Sequence, residues 1–72
     1  MSYGHITLCI EERLAERGIS KNKLCKTLDI PRTNLNRYCR GDFQRIDVGL
    51  LCKLCSYLQI EPGDLLIYHK DG

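Results

Sequence analysis

The chain has 72 residues, of which 43% are hydrophobic and 28% charged, and a formal net charge of +2. That length makes one domain, and a chain this short buries only about 60% of its unfolded surface, so its stability is modest. It contains no apolar run of the roughly 18 residues that a membrane span needs.

The first ten residues, "MSYGHITLCI", show neither a basic start nor a small-residue cleavage site, so a cytoplasmic protein is expected. Five cysteines (Cys9, Cys25, Cys39, Cys52 and Cys55) make an odd count for a disulfide framework. Each sits among apolar residues and is read as a reduced, buried thiol acting as a small hydrophobe. The charge is unevenly spread. Residues 20–45 hold seven Lys/Arg and two Asp, a net +5, and the rest of the chain nets −3. Such segregation suggests a half that faces a polyanion and a half that faces solvent.

Glycine and proline divide the chain into short helical segments. Helix one is predicted over 7–17, with Thr7 as N-cap, Glu11 and Glu12 in the early turns, and Ile10 and Leu14 as its apolar stripe. Gly18 stops it and Ile19 supplies the apolar contact that follows. Helix two is predicted over 21–28, capped by Ser20, with Leu24, Cys25 and Leu28 inward. Asp29 ends it, and Pro31 forbids continuation. Helix three is predicted over 32–40, with Pro31 at its start and Gly41 as its stop. At 100° per residue, Arg32, Thr33, Asn36, Arg37 and Arg40 fall within an arc of about 140°, with Leu35, Tyr38 and Cys39 largely opposite. After a loop over 42–46, Asp47 caps a fourth helix running to residue 58, with Val48, Leu51, Leu54, Cys55 and Leu58 inward. A short fifth helix is expected from "EPGDLL". The ends "YGHIT" and "LIYH" have strand character and could pair as a two-stranded sheet.

The informative stretch is "KNKLCKTLDIPRTNLNRYCRGD", residues 21–42. Two short helices joined by a tight turn, the second with a donor-rich exposed face, fit a helix-turn-helix. A helix of this kind fits the major groove of B-DNA. There arginine can bond guanine, asparagine can bond adenine, and a threonine methyl can touch a thymine methyl. The first helix of the pair crosses the backbone, where its lysines and N-terminal amides can hold phosphates.

The stretch "GISKNKLCKTLDIPRTNLNRYCRGD", followed by "LCKLCSYLQIEPGDLL", resembles the Cro/phage-repressor (Xre) helix-turn-helix family over about residues 8–67. The resemblance implies an all-α, five-helix domain like that of the lambda repressor, spanning the chain, and a sequence-specific DNA-binding transcriptional regulator, expected to repress. It also implies a homodimer on a palindromic double-stranded operator. By the resemblance Arg32, Thr33, Asn36 and Arg37 read bases. Ser20, Lys21 and Lys23 at the start of helix two, with Arg40, Gln44 and Arg45 around the loop, meet phosphate. Two departures stand out: Asp29 replaces the usual turn glycine, and Pro31 replaces the usual Ser/Thr cap of helix three.

Other chemistry is weakly signalled. "CKLC", with Cys52 and Cys55, would need two further metal ligands, for which His5 and His69 are the candidates; the surrounding leucines favour a core role. No glycine-rich phosphate loop or nucleophile–base constellation suggests an enzyme. No metal, cofactor, small-molecule ligand or membrane contact is expected. The alternative function is a protein-interaction module of the same fold, antitoxin-like or an anti-repressor partner. The dimer surface is expected on residues 3–6 or on Leu66, Ile67 and Tyr68.

Overall fold

The structure is a computed structural model that describes residues 3–70. In chain order it forms β1 (His5–Leu8), α1 (Ile10–Arg17), α2 (Lys21–Leu28), α3 (Arg32–Arg40), α4 (Val48–Leu58), a 3₁₀ turn (Pro62–Asp64) and β2 (Leu66–His69).

Each element is too short to be stable alone. What holds them is a shared apolar centre to which every element or its flank contributes. Leu8, Ile10, Leu14, Leu24, Ile30, Leu35, Leu54, Leu58 and Leu65 form one buried cluster. Burying one leucine contributes about 1.5–3 kcal/mol.

The helices stop by a common device. Gly18, Asp29, Gly41 and Gln59 all adopt the left-handed conformation directly after α1, α2, α3 and α4. The residue that follows returns its N–H to the last turn: Ile19 to Leu14, Ile30 to Cys25, Asp42 to Arg37 and Ile60 to Cys55. Three of these four followers are isoleucines that pack onto the core. Asp29 fills its role at φ 55°, ψ 51°, a region that aspartate tolerates better than most residues. Lys53 on α4 adds a bond to the Leu28 carbonyl at 3.2 Å, satisfying one orphan acceptor at the end of α2.

Four details differ from the sequence reading. Helix one begins at Ile10 with Cys9 as an N-cap that makes no side-chain bond. Thr7 belongs instead to β1, which pairs antiparallel with β2 in the register His5↔His69, Ile6↔Tyr68, Thr7↔Ile67 and Leu8↔Leu66. The Cys9 N–H and the Leu65 carbonyl, 2.9 Å apart, continue that pairing and hold the start of α1. Second, the fifth helix is only the single 3₁₀ turn Pro62–Asp64, leaving four α-helices among the described residues. Leu65 must bury and Leu66 must pair with Leu8, so no second turn fits.

Third, Val48 faces outward with 69% of its surface exposed. It lies about 80–120° around α4 from the buried Leu54 and Leu58. Fourth, Cys52, about 40° further round, is exposed; Cys9 is buried and the other three cysteines are half-buried. Burial raises the thiols of Cys39 and Cys55 above their ordinary pKa; the Lys21 charge opposes this at Cys39, and Cys52 reinforces it at Cys55. Both therefore remain neutral thiols near neutral pH.

Candidate nucleic-acid interface

α3 is amphipathic in the sense that matters here. Leu35 is fully buried, Tyr38 and Cys39 are half-buried, and Arg32, Thr33, Asn34, Arg37 and Arg40 are exposed. The leucine fixes the helix to the core, and the opposite side is left to solvent.

α2 supplies the next layer. Its N-cap Ser20 accepts a bond from the Lys23 N–H at 3.1 Å, which leaves the hydroxyl proton free to donate. Lys23 is exposed, whereas Lys21 is half-buried. Lys21 Nζ donates to Asn36 Oδ1 at 3.1 Å and pairs with Glu11 Oε2 at 3.3 Å. Arg32 Nη1 donates to Asn22 Oδ1. The first turn of α2 thus touches two of the side chains expected to read bases.

The 42–46 loop flanks the other side of α3. Tyr38 and Phe43 meet edge to face, with ring centroids 5.0 Å apart, and pin the loop against the helix. Arg37 Nε donates to the Asp42 carbonyl at 3.2 Å. Arg40 lies 3.8 Å from the Asp42 carboxylate with both side chains exposed, so water screens that pair. Gln44 and Arg45 are exposed beyond Phe43. At the far end of the loop the Asp47 carboxylate accepts from the N–H groups of Gly49 and Leu50, at 2.8 and 3.4 Å, and starts α4.

α3 therefore stands as a ridge between two hollows. One, of about 390 Å³, is lined by Asn34, Arg37, Tyr38, Phe43, Gln44 and Arg45. The other, of about 550 Å³, is lined by Asn22, Lys23, Cys25, Lys26, Thr27 and Arg32. All ten expected contact residues lie on α3, at the start of α2 or in the adjoining loop. Of these, Lys21 and Asn36 are turned partly inward. Asn22 and Asn34 also line these hollows and are not among the residues expected from the sequence; Lys26 joins them as a further lysine of α2. Asn34 falls about 60° outside the 140° polar arc, and no local pattern marks Asn22 or Lys26 as neighbours of Arg32.

The alternative metal pair finds no support in the geometry. His5 and His69 stack on each other across the sheet, with ring centroids 4.6 Å apart, and His69 Nε2 lies 2.8 Å from Thr7 Oγ1. Among the described residues, no three His, Cys, Asp or Glu side chains are placed to share a metal ion. No helix of the described chain is long and apolar enough to cross a membrane.

The chain is similar in sequence to an uncharacterized HTH-type transcriptional regulator, YozG, of Bacillus subtilis (strain 168). The two are 32% identical over 66 residues, which cover 92% of this chain and 79% of that protein. In fold it is similar to the crystal structure of the transcriptional regulator VanUg, with a TM-score of 0.79, 14% identity, and coverage of 99% of this chain and 93% of that one. A second solved structure, of a protein from Bacteroides fragilis, gives a TM-score of 0.70 at 21% identity, covering 86% of this chain and 98% of that one. The model of the Cro/C1-type HTH DNA-binding domain matches residues 10–71. With its donor-bearing ridge on the second helix of the motif, the chain belongs to the Cro/C1-type helix-turn-helix DNA-binding domain family.

Proposed function

We propose that this chain is a DNA-binding transcriptional regulator that reads an operator with α3 in the major groove and represses by occupying it. The observation that carries this reading is the ridge between two hollows. A major groove is a channel of base edges bounded by two phosphate strands. A helix bearing Arg32, Thr33, Asn36 and Arg37 suits the floor of that channel. Hydrogen-bond donors on both flanks suit its walls: Ser20 and Lys23 on one side, Arg40, Gln44 and Arg45 on the other. Burial of Leu35 seats the ridge on the core.

One α3 would read only about four to six base pairs, too few to define a site in a genome. We therefore assign a two-fold dimer on a palindrome, with half-sites about one helical turn apart. Its surface lies at the sheet end, off the donor face of α3. Tyr3, Ile6, Leu66, Ile67 and Tyr68 are large apolar side chains exposed there.

The test is selection of binding sites from random duplex DNA, followed by titration of the selected duplex. The expected result is one palindromic sequence, two protomers per site, and affinity that falls steeply with salt. Salt-insensitive binding to a protein, with no sequence selected, would instead identify an interaction module. One protomer per full site would show a monomeric reader.

A further inference from the structure

Asn36 differs from the other polar side chains of α3. It lies inside the polar arc but is half-buried, whereas Arg32, Thr33 and Arg37 are exposed. Its Oδ1 accepts the 3.1 Å bond from Lys21 Nζ. The same ammonium is 3.3 Å from Glu11 Oε2; the Lys21 side chain is only 22% exposed, against 59% for Glu11. A lysine on the first turn of a surface helix ordinarily keeps its charged head in water. Here partners on α1 and α3 hold it between them.

We propose that Glu11 and Lys21 form a positioning relay that biases Asn36 toward donating, favouring a guanine edge over an adenine edge. The proposal rests on the DNA reading given above. An ammonium has three donors and no acceptor, so only the carbonyl of the amide can face it. The Nδ2 group is then directed away from Lys21. Reading adenine takes both ends of an asparagine: Nδ2 donates to N7 and Oδ1 accepts from N6, and a carbonyl that already accepts from an ammonium has one lone pair left and is the poorer acceptor for N6. Guanine offers two acceptors, O6 and N7, which match an NH₂ group with two hydrogens. The ammonium behind the carbonyl also polarises the amide and strengthens its outward N–H donors. Glu11 holds the lysine in place and offsets the cost of turning its charge inward. On this account Lys21 acts through Asn36 and makes no phosphate contact of its own.

The test is selection from random-sequence duplex DNA by the whole protein, in parallel for the native chain, Lys21→Met, Lys21→Arg and Asn36→Ala. Salt titrations on the selected duplexes accompany it. Methionine keeps most of the apolar stem and removes the charge, and Glu11 is exposed enough to remain hydrated. The native protein should require guanine at one base pair of each half-site, and Asn36→Ala should flatten the preference there alone. Lys21→Met should move that preference from guanine toward adenine by at least about fivefold, the lower range of one bidentate contact. The slope of log affinity against log salt should not change. Lys21→Arg, which retains a donor, should keep guanine.

An unchanged base preference in Lys21→Met, with a salt slope shallower by about one unit, would make Lys21 a phosphate contact and overturn the relay. An unchanged profile in Asn36→Ala would overturn it while leaving DNA binding intact. If the native protein selected no sequence, the DNA reading and the relay would fall together. One measurement needs no variant. In NMR spectra of the free protein, the Lys21 ammonium protons should exchange with water more slowly than those of exposed Lys23. Equal exchange would contradict the relay.

Discussion

The face made by α2, α3 and the 42–46 loop exposes guanidinium, ammonium and amide groups over a buried leucine row. The β1–β2 end exposes Tyr3, Ile6, Leu66, Ile67 and Tyr68, most of the large apolar side chains left in water. So small a core cannot cover every apolar group, yet all the large uncovered ones but Val48 are gathered at one end and kept off the donor face. Donors exposed to water are already satisfied and lose little when phosphates and base edges replace that water. Exposed apolar rings gain from being covered, which suits a protein contact. The two regions also touch. A Cβ at Gly41, the C-cap of α3, would lie 2.9 Å from Thr7 Cγ2 and 3.0 Å from the Ile6 carbonyl in β1. The end of the reading helix is therefore seated directly against the sheet.

The donor face depends first on what lies beneath it. Leu35→Ala leaves a cavity under α3 and should cost about 2–5 kcal/mol, measured by denaturant unfolding. DNA affinity should fall through loss of the fold, so specific and random DNA should suffer together. On the donor face, Arg32→Ala or Arg37→Ala should cost about 1–3 kcal/mol at a selected site and relax preference at one or two positions. Equal losses on selected and random duplexes would demote both to backbone contacts. At the seam, Gly41→Ala places a Cβ into β1 at φ 78°; it should cost at least about 1–2 kcal/mol in thermal unfolding. No change in stability would mean that α3 and the sheet are mechanically independent.

Smaller changes sharpen the contrast further. Neutralising Lys23 or Arg45 should weaken binding to all sequences alike and flatten the salt slope by about one unit, read by titration at several ionic strengths. Gln59→Gly relieves a left-handed residue at φ 56° on the far end of α4. It should raise unfolding stability by no more than about 1 kcal/mol and leave DNA affinity untouched.

Much of this architecture was legible from local chemistry. Ser20 and Asp47 start α2 and α4, and Gly18, Asp29 and Gly41 end the first three helices through residue types that suit caps and left-handed turns. The strand character of both ends was readable too, and with it their pairing. What a local reading could not weigh was competition. Thr7 is a good N-cap and a good strand residue, and its partner Ile67 lies at the other end of the chain. "EPGDLL" carries helix-start signals, but the requirement that Leu66 meet Leu8 cuts the turn short. Val48 and Cys52 fit the composition of an apolar helix, and only the placement of α4 shows which side faces water.

The site divides in the same way. The polar arc of α3 follows from a 3.6-residue period, so the exposure of Arg32, Thr33 and Arg37 could be read from spacing, whereas their expected role at base edges rests on the family resemblance. The inward turn of Lys21 depends on Glu11 and Asn36, which are distant in sequence, and no periodicity signals it.

The most direct test of the account is an NMR titration of the native protein with the duplex recovered by selection, following backbone and side-chain amides. The perturbed residues should be 20–23, 32–37 and 44–45, with the Asn36 side-chain NH₂ among the largest shifts. Smaller changes at 3–6 and 66–68 should track dimer formation on the DNA. Perturbations centred on the sheet, with α3 unmoved, would contradict the assignment of the donor face to DNA.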